Sequence, residues 1–228
     1  MSLKPTVRNY LFEDAKLIQE AGRVRNAVSR DNKEFAKRNI TNTTLTDFQT
    51  KIDAFDDFPT DEELQGIVVD ATANKDALAQ NIRVQVRTIR NMAALQYHNT
   101  GSYKTFGFEG MDDMSDANLY RLAKRVVRVG TKLLPVLSQQ GLTQEILDTL
   151  AQTAVDFDKA MDTQESEIEN RDLQTQERIR LGNDLYAVLV QLASIGKSLF
   201  QDTDAAKYND YVLYHEKPKD KEEATAGA

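Results

Sequence analysis

The sequence predicts an all-α protein, an elongated antiparallel helical bundle with about four long helices and one or two short ones. Three observations carry this. A heptad row runs through the C-terminal third as Leu147, Ala154, Met161, Ile168, Thr175, Gly182 and Leu189, with a companion row Leu150, Phe157, Gln164, Arg171, Arg178, Leu185, Leu192 and Leu199. Both ends of this seam are apolar and its middle is polar, the pattern of a long helix rather than of a compact enzyme core. The chain has only 10 Gly and 4 Pro in 228 residues and 29% charged side chains, a mixture that favours helix over sheet. Finally, capping residues stand where the apolar periodicity starts and stops.

The first helix is expected over Thr6–Asn39, because Leu11, Ala15, Ile18, Ala21, Val24, Val28 and Phe35 recur at three- and four-residue steps. Asp31 interrupts that stripe, either as a buried polar point or as the frayed last turn, which is the simpler reading. The polar, β-branched run Thr41–Thr44 breaks the chain, and a short helix carries Leu45, Phe48, Ile52 and Phe55. Phe58-Pro59-Thr60 opens the next element: Thr60 caps, Glu63 stands three residues on as the box partner, and Leu64 begins the apolar face. That face continues through Ile67, Val68, Ala71, Leu78, Ile82, Ile89, Met92 and Leu95, giving a helix to His98 about 58 Å long. Asn74 and Asn81 fall near the stripe one heptad apart, as register-setting polar residues or as an exposed edge.

Residues 99–114 form a glycine-punctuated aromatic loop with Tyr103, Phe106, Phe108 and Met111, then Asp112 and Asp113. Ser115 caps a helix whose Leu119, Leu122, Val126, Val129, Leu133 and Leu137 face inward, with Pro135 bending it or dividing off a last turn. Gly141 as a left-handed stop and Thr143 as a cap predict an antiparallel helical hairpin. The helix that follows, to about Gln201, would be roughly 88 Å long if continuous, and Asn170 to Asp172 is its best place for a break. Helix 115–137 covers only its first half, so Ile179–Phe200 needs the first helix or the 60–98 helix. Asp202 or Thr203 caps a last short helix with Tyr208 and Tyr211. Residues 1–215 therefore read as a single helical bundle domain, and 216–228 as a disordered charged tail.

Composition narrows the function. Thirty-six acids against 29 bases give a formal charge of -7, which makes nucleic acid an unlikely partner. The absence of cysteine removes thiolate catalysis and Cys-ligated zinc, and it fits a cytoplasmic protein without excluding a periplasmic one. There is no transmembrane segment, since no stretch nears the roughly 20 apolar residues needed, and the charged N-terminus does not read as a signal peptide. No Glu-x-x-His pair, P-loop or dinucleotide fingerprint occurs, so neither cofactor nor metal is expected. His98 beside Asp112 and Asp113 offers the right ligand types without the spacing of a metal site, and His215 adjoins the tail. No catalytic residue is assigned, and whether the chain is an enzyme stays open.

Two places suit binding. One is the aromatic loop, where Tyr103, Phe106, Phe108 and Met111 are either a contact patch or a plug closing the core at a bundle end. The other is a pair of basic stripes: Arg83, Arg87 and Arg90 on the 60–98 helix, and Arg121, Lys124, Arg125, Arg128 and Lys132 on the next. These contact an acidic partner, phosphates or an anionic membrane surface, pair with acids such as Asp148, Asp156 and Glu165, or face water. The expected function is a non-catalytic helical interaction or scaffold protein acting on a protein partner or by self-association. The alternatives are a membrane-surface-active bundle, motivated by the apolar stretch Val126–Leu137, and a small-molecule carrier with a pocket near the 99–114 loop.

Overall fold

The computed structural model describes residues 6–11 and 13–213, and they form helices α1 (Asp14–Arg30), α2 (Asn32–Ala36), α3 (Asn42–Asp56), α4 (Asp61–Tyr97), α5 (Gly101–Lys104), α6 (Asp116–Leu137), α7 (Gln144–Phe200) and α8 (Ala205–Asp210). Single turns of 3-10 helix occupy Met111–Asp113 and Ser138–Gln140. The protein is an all-α bundle. The expected tail 216–228 and His215 lie outside the described residues.

The chain falls into two compact units, each with its own core. One comprises the residues up to Pro59 together with those from Gln174 onward; the other is Thr60–Leu173. Helix α7 is unbroken from Gln144 to Phe200, so the break expected at Asn170–Asp172 does not occur. What keeps its polar middle helical is a partner for each polar residue of the seam. Gln164 donates to Thr72 Oγ1 at 2.8 Å, Arg171 to Gln65 Oε1 at 3.2 Å, and Arg178 to the carbonyls of Phe58 and Pro59 at 2.8 and 3.3 Å.

In the first unit α1, α3 and the end of α7 bury Leu17, Ala21, Val24, Val28, Phe48, Ile52, Phe55, Leu185, Leu189 and Leu192. All four apolar residues predicted for the short helix after Thr44 are inside, so α3 joins α1 in covering the last turns of α7. The first helix starts eight residues later than its periodicity suggests. Residues 6–10 carry no helix and are held to α7 instead: Thr6 N–H donates to Gln176, Asn9 N–H to Asn183, and Asn183 returns a bond to the Val7 carbonyl. Leu11, expected on the inward stripe, is 93% exposed.

Two tyrosines anchor the ends of this unit on α7. The Tyr10 ring lies against Gly182 and the Tyr211 ring against Gly196, and a Cβ at either glycine would collide with the ring. The glycines are two heptads apart on the seam row, hence on one face. Burial, reinforced by the Asp14 charge, pushes the Tyr10 hydroxyl up to about 12. Asp31 is not a frayed turn. It is buried where α1 ends, paired with Arg30 and Lys207 at 2.7 and 2.8 Å, and it accepts a hydrogen bond from the Tyr211 hydroxyl at 2.9 Å. Arg23 holds the same C-terminal segment by donating to the carbonyls of Asp210 and Val212. The cap of α8 is Asp204, accepting from Ala206 and Lys207, slightly beyond the expected Asp202 or Thr203.

In the second unit the Thr60–Glu63 capping box forms as predicted, and Leu64, Val68, Ile82 and Ile89 are buried, while Ile67 and Leu95 face solvent. Asn74 and Asn81 are exposed. Gly141 adopts the left-handed conformation at φ 90° and Thr143 Oγ1 accepts from Ile146, closing the α6–α7 hairpin. Both α4 and α6 run antiparallel to α7 and therefore parallel to each other. Lys75 meets Asp116 near the start of α6, and Met92 lies beside Gly141 beyond its end. Residues 98–115 carry the chain back between them.

Candidate functional site

Helix α6 divides its residues between two faces. Leu119, Leu122, Ala123, Val126 and Leu137 are buried in the core of this unit together with Ile82, Val86 and Ile89 of α4 and Leu147, Leu150, Ala154 and Phe157 of α7. Gly130 is buried where a Cβ would overlap Leu147, so α6 and α7 pack closely at that level. On the other side Arg121, Lys124, Arg125, Arg128 and Lys132 are all exposed. The steps 121, 125, 128 and 132 are four, three and four residues, which is one helix face.

None of these five cations is ion-paired among the described residues. Of the acids named as partners, Asp148 accepts from Gln144 and Asp156 from Gln152, each one turn away, while Glu165 is exposed and enters no ion pair among the described residues. Lys124 lies over its neighbour's ring, 5.0 Å from the Tyr120 centroid. Beside the cations an open groove of about 290 Å³ runs between α6 and α7, lined by Tyr120, Lys124, Val127, Arg128, Ala151, Ala154 and Val155. Four apolar side chains and a tyrosine floor it, with two cations on one wall.

The aromatic loop resolves as a core element. Phe106, Phe108 and Met111 are buried in the same core as α4, α6 and α7, and Tyr103 packs partly buried against them. The Phe106 and Phe108 rings stack with centroids 4.9 Å apart, and Tyr103 tilts onto Phe108 at 5.5 Å. The expectation of a plug at a bundle end needs correcting in position: two parallel helices require a returning connection, so the rings fill a side of the core.

Arginines fasten this crossover. Arg87 pairs with Asp112, and Arg83 reaches the Met114 carbonyl at 3.5 Å. The hydrogen bond from Arg87, followed by the charges of Arg87, Arg90 and Arg83, holds the Asp112 carboxyl below its usual range. Lys75 is bound by Asp116 at 2.5 Å, a hydrogen bond that raises its pKa. From α6, Arg125 lies across Gly107, whose φ of 73° already favours glycine, and a Cβ there would strike the guanidinium. With Asp112 turned to Arg87, the imagined pairing of His98 with that acid is not made; His98 instead sits exposed at the end of α4, its ring 6.3 Å from Tyr103.

The eight residues singled out from sequence thus separate by role. Phe106, Phe108 and Met111 are interior, with Tyr103 at their edge; Arg83 and Arg87 bind the crossover; Arg121 and Arg125 belong to the free basic face. The five cations of α6 were already grouped by their spacing; what sequence reasoning missed is that their face borders an apolar groove. Spacing on one helix does not show which neighbour stands beside it. The apolar stretch Val126–Leu137 mostly faces inward, and among the described residues no helix is long and apolar enough to cross a membrane. No protein-family model, curated protein or solved structure matches the chain.

Proposed function

We propose that this chain is a non-catalytic helical interaction protein whose contact surface is the basic face of α6 and the groove beside it. The single observation that carries the reading is the row Arg121, Arg125, Arg128 and Lys132, with Lys124, exposed and without an acid partner among the described residues on a chain of net charge -7. A concentration of like charge on a rigid helix costs self-repulsion and steers association with a surface of opposite sign. The apolar groove alongside gives such an encounter something to bury, and helix-in-groove docking uses this combination of an apolar floor with a charged rim. The partner is therefore an acidic, amphipathic protein segment.

The test is affinity capture from the native cell with three baits: wild type, the triple variant R121E/K124E/R128E, and a control reversed at exposed positions elsewhere, K33E/R38E. Proteins held by wild type and control but lost from the α6 variant support the reading. An identical retained set from all three baits overturns it.

A further inference from the structure

We infer that the acidic partner of the α6 face is a second copy of this chain, and that the matching surface is the outer row of α7 from Val155 to Leu173. This rests on the reading of α6 as a contact surface and names its occupant. Starting in the groove at Ala151 and Val155, steps of three and four residues along α7 give Asp158, Asp162, Glu165, Glu169 and Asp172. At about 100° per residue, positions 151 to 169 of this row stay within about 80° of one another, so the acids continue along the line on which the groove's α7 wall lies. Leu173, five full turns after Val155, shares that face and is 70% exposed. Asp162, Glu165 and Glu169 are exposed and enter no ion pair among the described residues; Asp172 is paired only with its neighbour Arg171.

One surface of the Thr60–Leu173 unit thus carries a basic patch with an apolar groove and, displaced along α7, an acidic patch that ends at the exposed Leu173. The middle of the acidic row lies about 20 Å along α7 from Ala151. The two rows share the 4-3-4 step, and their lengths correspond, about 16 Å for residues 121–132 and about 21 Å for 158–172. A two-fold axis between two copies lays each basic row on the other copy's acidic row, forming the same contact twice, as closed dimers require. Like patches facing each other are excluded by repulsion, which fixes the register.

The experiment is sedimentation velocity on the full chain from roughly 1 to 200 µM, at low and high salt. The variants are R121E/K124E/R128E, D162K/E165K/E169K and their equimolar mixture. The inference predicts a dimer for wild type whose dissociation constant rises at least about tenfold at high salt. It predicts monomers for each reversed variant alone and a restored dimer for the mixture, in which both contacts regain opposite charge. All substituted positions are exposed, and an unchanged helical circular dichroism spectrum with a cooperative melt verifies folding. Should a triple variant unfold, the neutral set R121Q/K124Q/R128Q serves, with an expected weakening of about tenfold. A wild type that stays monomeric throughout overturns the inference, as does a dimer indifferent to both reversals or a mixture that stays monomeric. The capture experiment remains separate: a foreign protein lost from the α6 variant, with a monomeric wild type, sustains the contact surface and removes the second copy as its occupant.

Discussion

Tyr211 places its ring on Gly196 and its hydroxyl on the Asp31 carboxylate 2.9 Å away, so one side chain ties the C-terminal segment to both α7 and α1. Its ring also stacks on Phe200 at 5.9 Å and tilts onto Phe35 at 5.5 Å. The contact exists only because position 196 has no Cβ.

Gly196→Ala is therefore expected to destabilise, against the ordinary gain of up to about 1 kcal/mol for replacing a helical glycine by alanine. Overlap with a fully buried ring leads to a net loss of about 1–3 kcal/mol. Gly22→Ala and Gly66→Ala are the controls, since nothing lies within 4 Å of an added Cβ at either. Both should stabilise by about 0.5–1 kcal/mol. Urea midpoints of the three variants check the contrast, and a stabilised Gly196→Ala would show that Tyr211 does not lie there.

The Asp31 carboxyl makes stability depend on acid. Burial opposes its charge, but hydrogen bonds from Arg30, Lys207 and Tyr211 outweigh burial and hold it at about 2, below the ordinary 3.8. Asp210, paired with Arg30, is the other carboxylate of the cluster. A carboxyl lowered in the folded state contributes its full stability above the unfolded value, and that contribution is lost as pH falls from about 4 through about 2. Asp31→Asn should remove this part of the acid slope and cost about 2–3 kcal/mol at neutral pH, less than a fully buried pair because Arg30 is half exposed. Urea unfolding of both proteins between pH 2 and 7 measures it, and parallel curves would contradict the assignment.

Arg178 is the buried cation of the seam. Its guanidinium donates to Asp14 at 2.9 Å and to the Phe58 and Pro59 carbonyls, and stacks over the Phe55 ring at 4.8 Å. Arg178→Met leaves a carboxylate and two carbonyls short of a donor and should cost about 2–4 kcal/mol. Arg178→Lys should recover less than about half of that, because an ammonium lacks the planar fork that meets three acceptors at once. Thermal unfolding of the pair distinguishes geometry from charge.

The sequence made the fold class and most helix ends legible because those features are local. The Thr60–Glu63 box, the Gly141 turn and the stripes of α4 and α6 each sit within a few residues of what they determine. The polar seam was harder. Gln164, Arg171 and Arg178 looked like a break because their partners, Thr72, Gln65 and the Phe58 and Pro59 carbonyls, lie about 90 to 120 positions away in sequence. Gly182 and Gly196 carried a readable hint, two helix-weakening residues on one row two heptads apart, yet nothing local names the tyrosines that fill the notches. The aromatic loop was recognised, but its path along the side of the core follows from α4 and α6 both opposing α7, which no single segment encodes.

Phe106 and Tyr103 should respond differently to truncation. Phe106 is fully buried against Phe108 in the core of its unit, so Phe106→Ala should cost about 3–5 kcal/mol. Tyr103 is only partly covered, and Tyr103→Ala should cost about 1 kcal/mol. Equal small losses would return the loop to the status of a surface patch.

The pairing of the α6 face with the α7 row of a second copy is tested most directly by carbodiimide cross-linking of an equimolar mixture of unlabelled and 15N-labelled protein. The account predicts cross-linked peptides that join Lys124 or Lys132 to acids among Asp158, Asp162, Glu165, Glu169 and Asp172, with one half light and the other heavy. Cross-links in which both halves always carry the same isotope, or mixed ones that avoid these two rows, would contradict it.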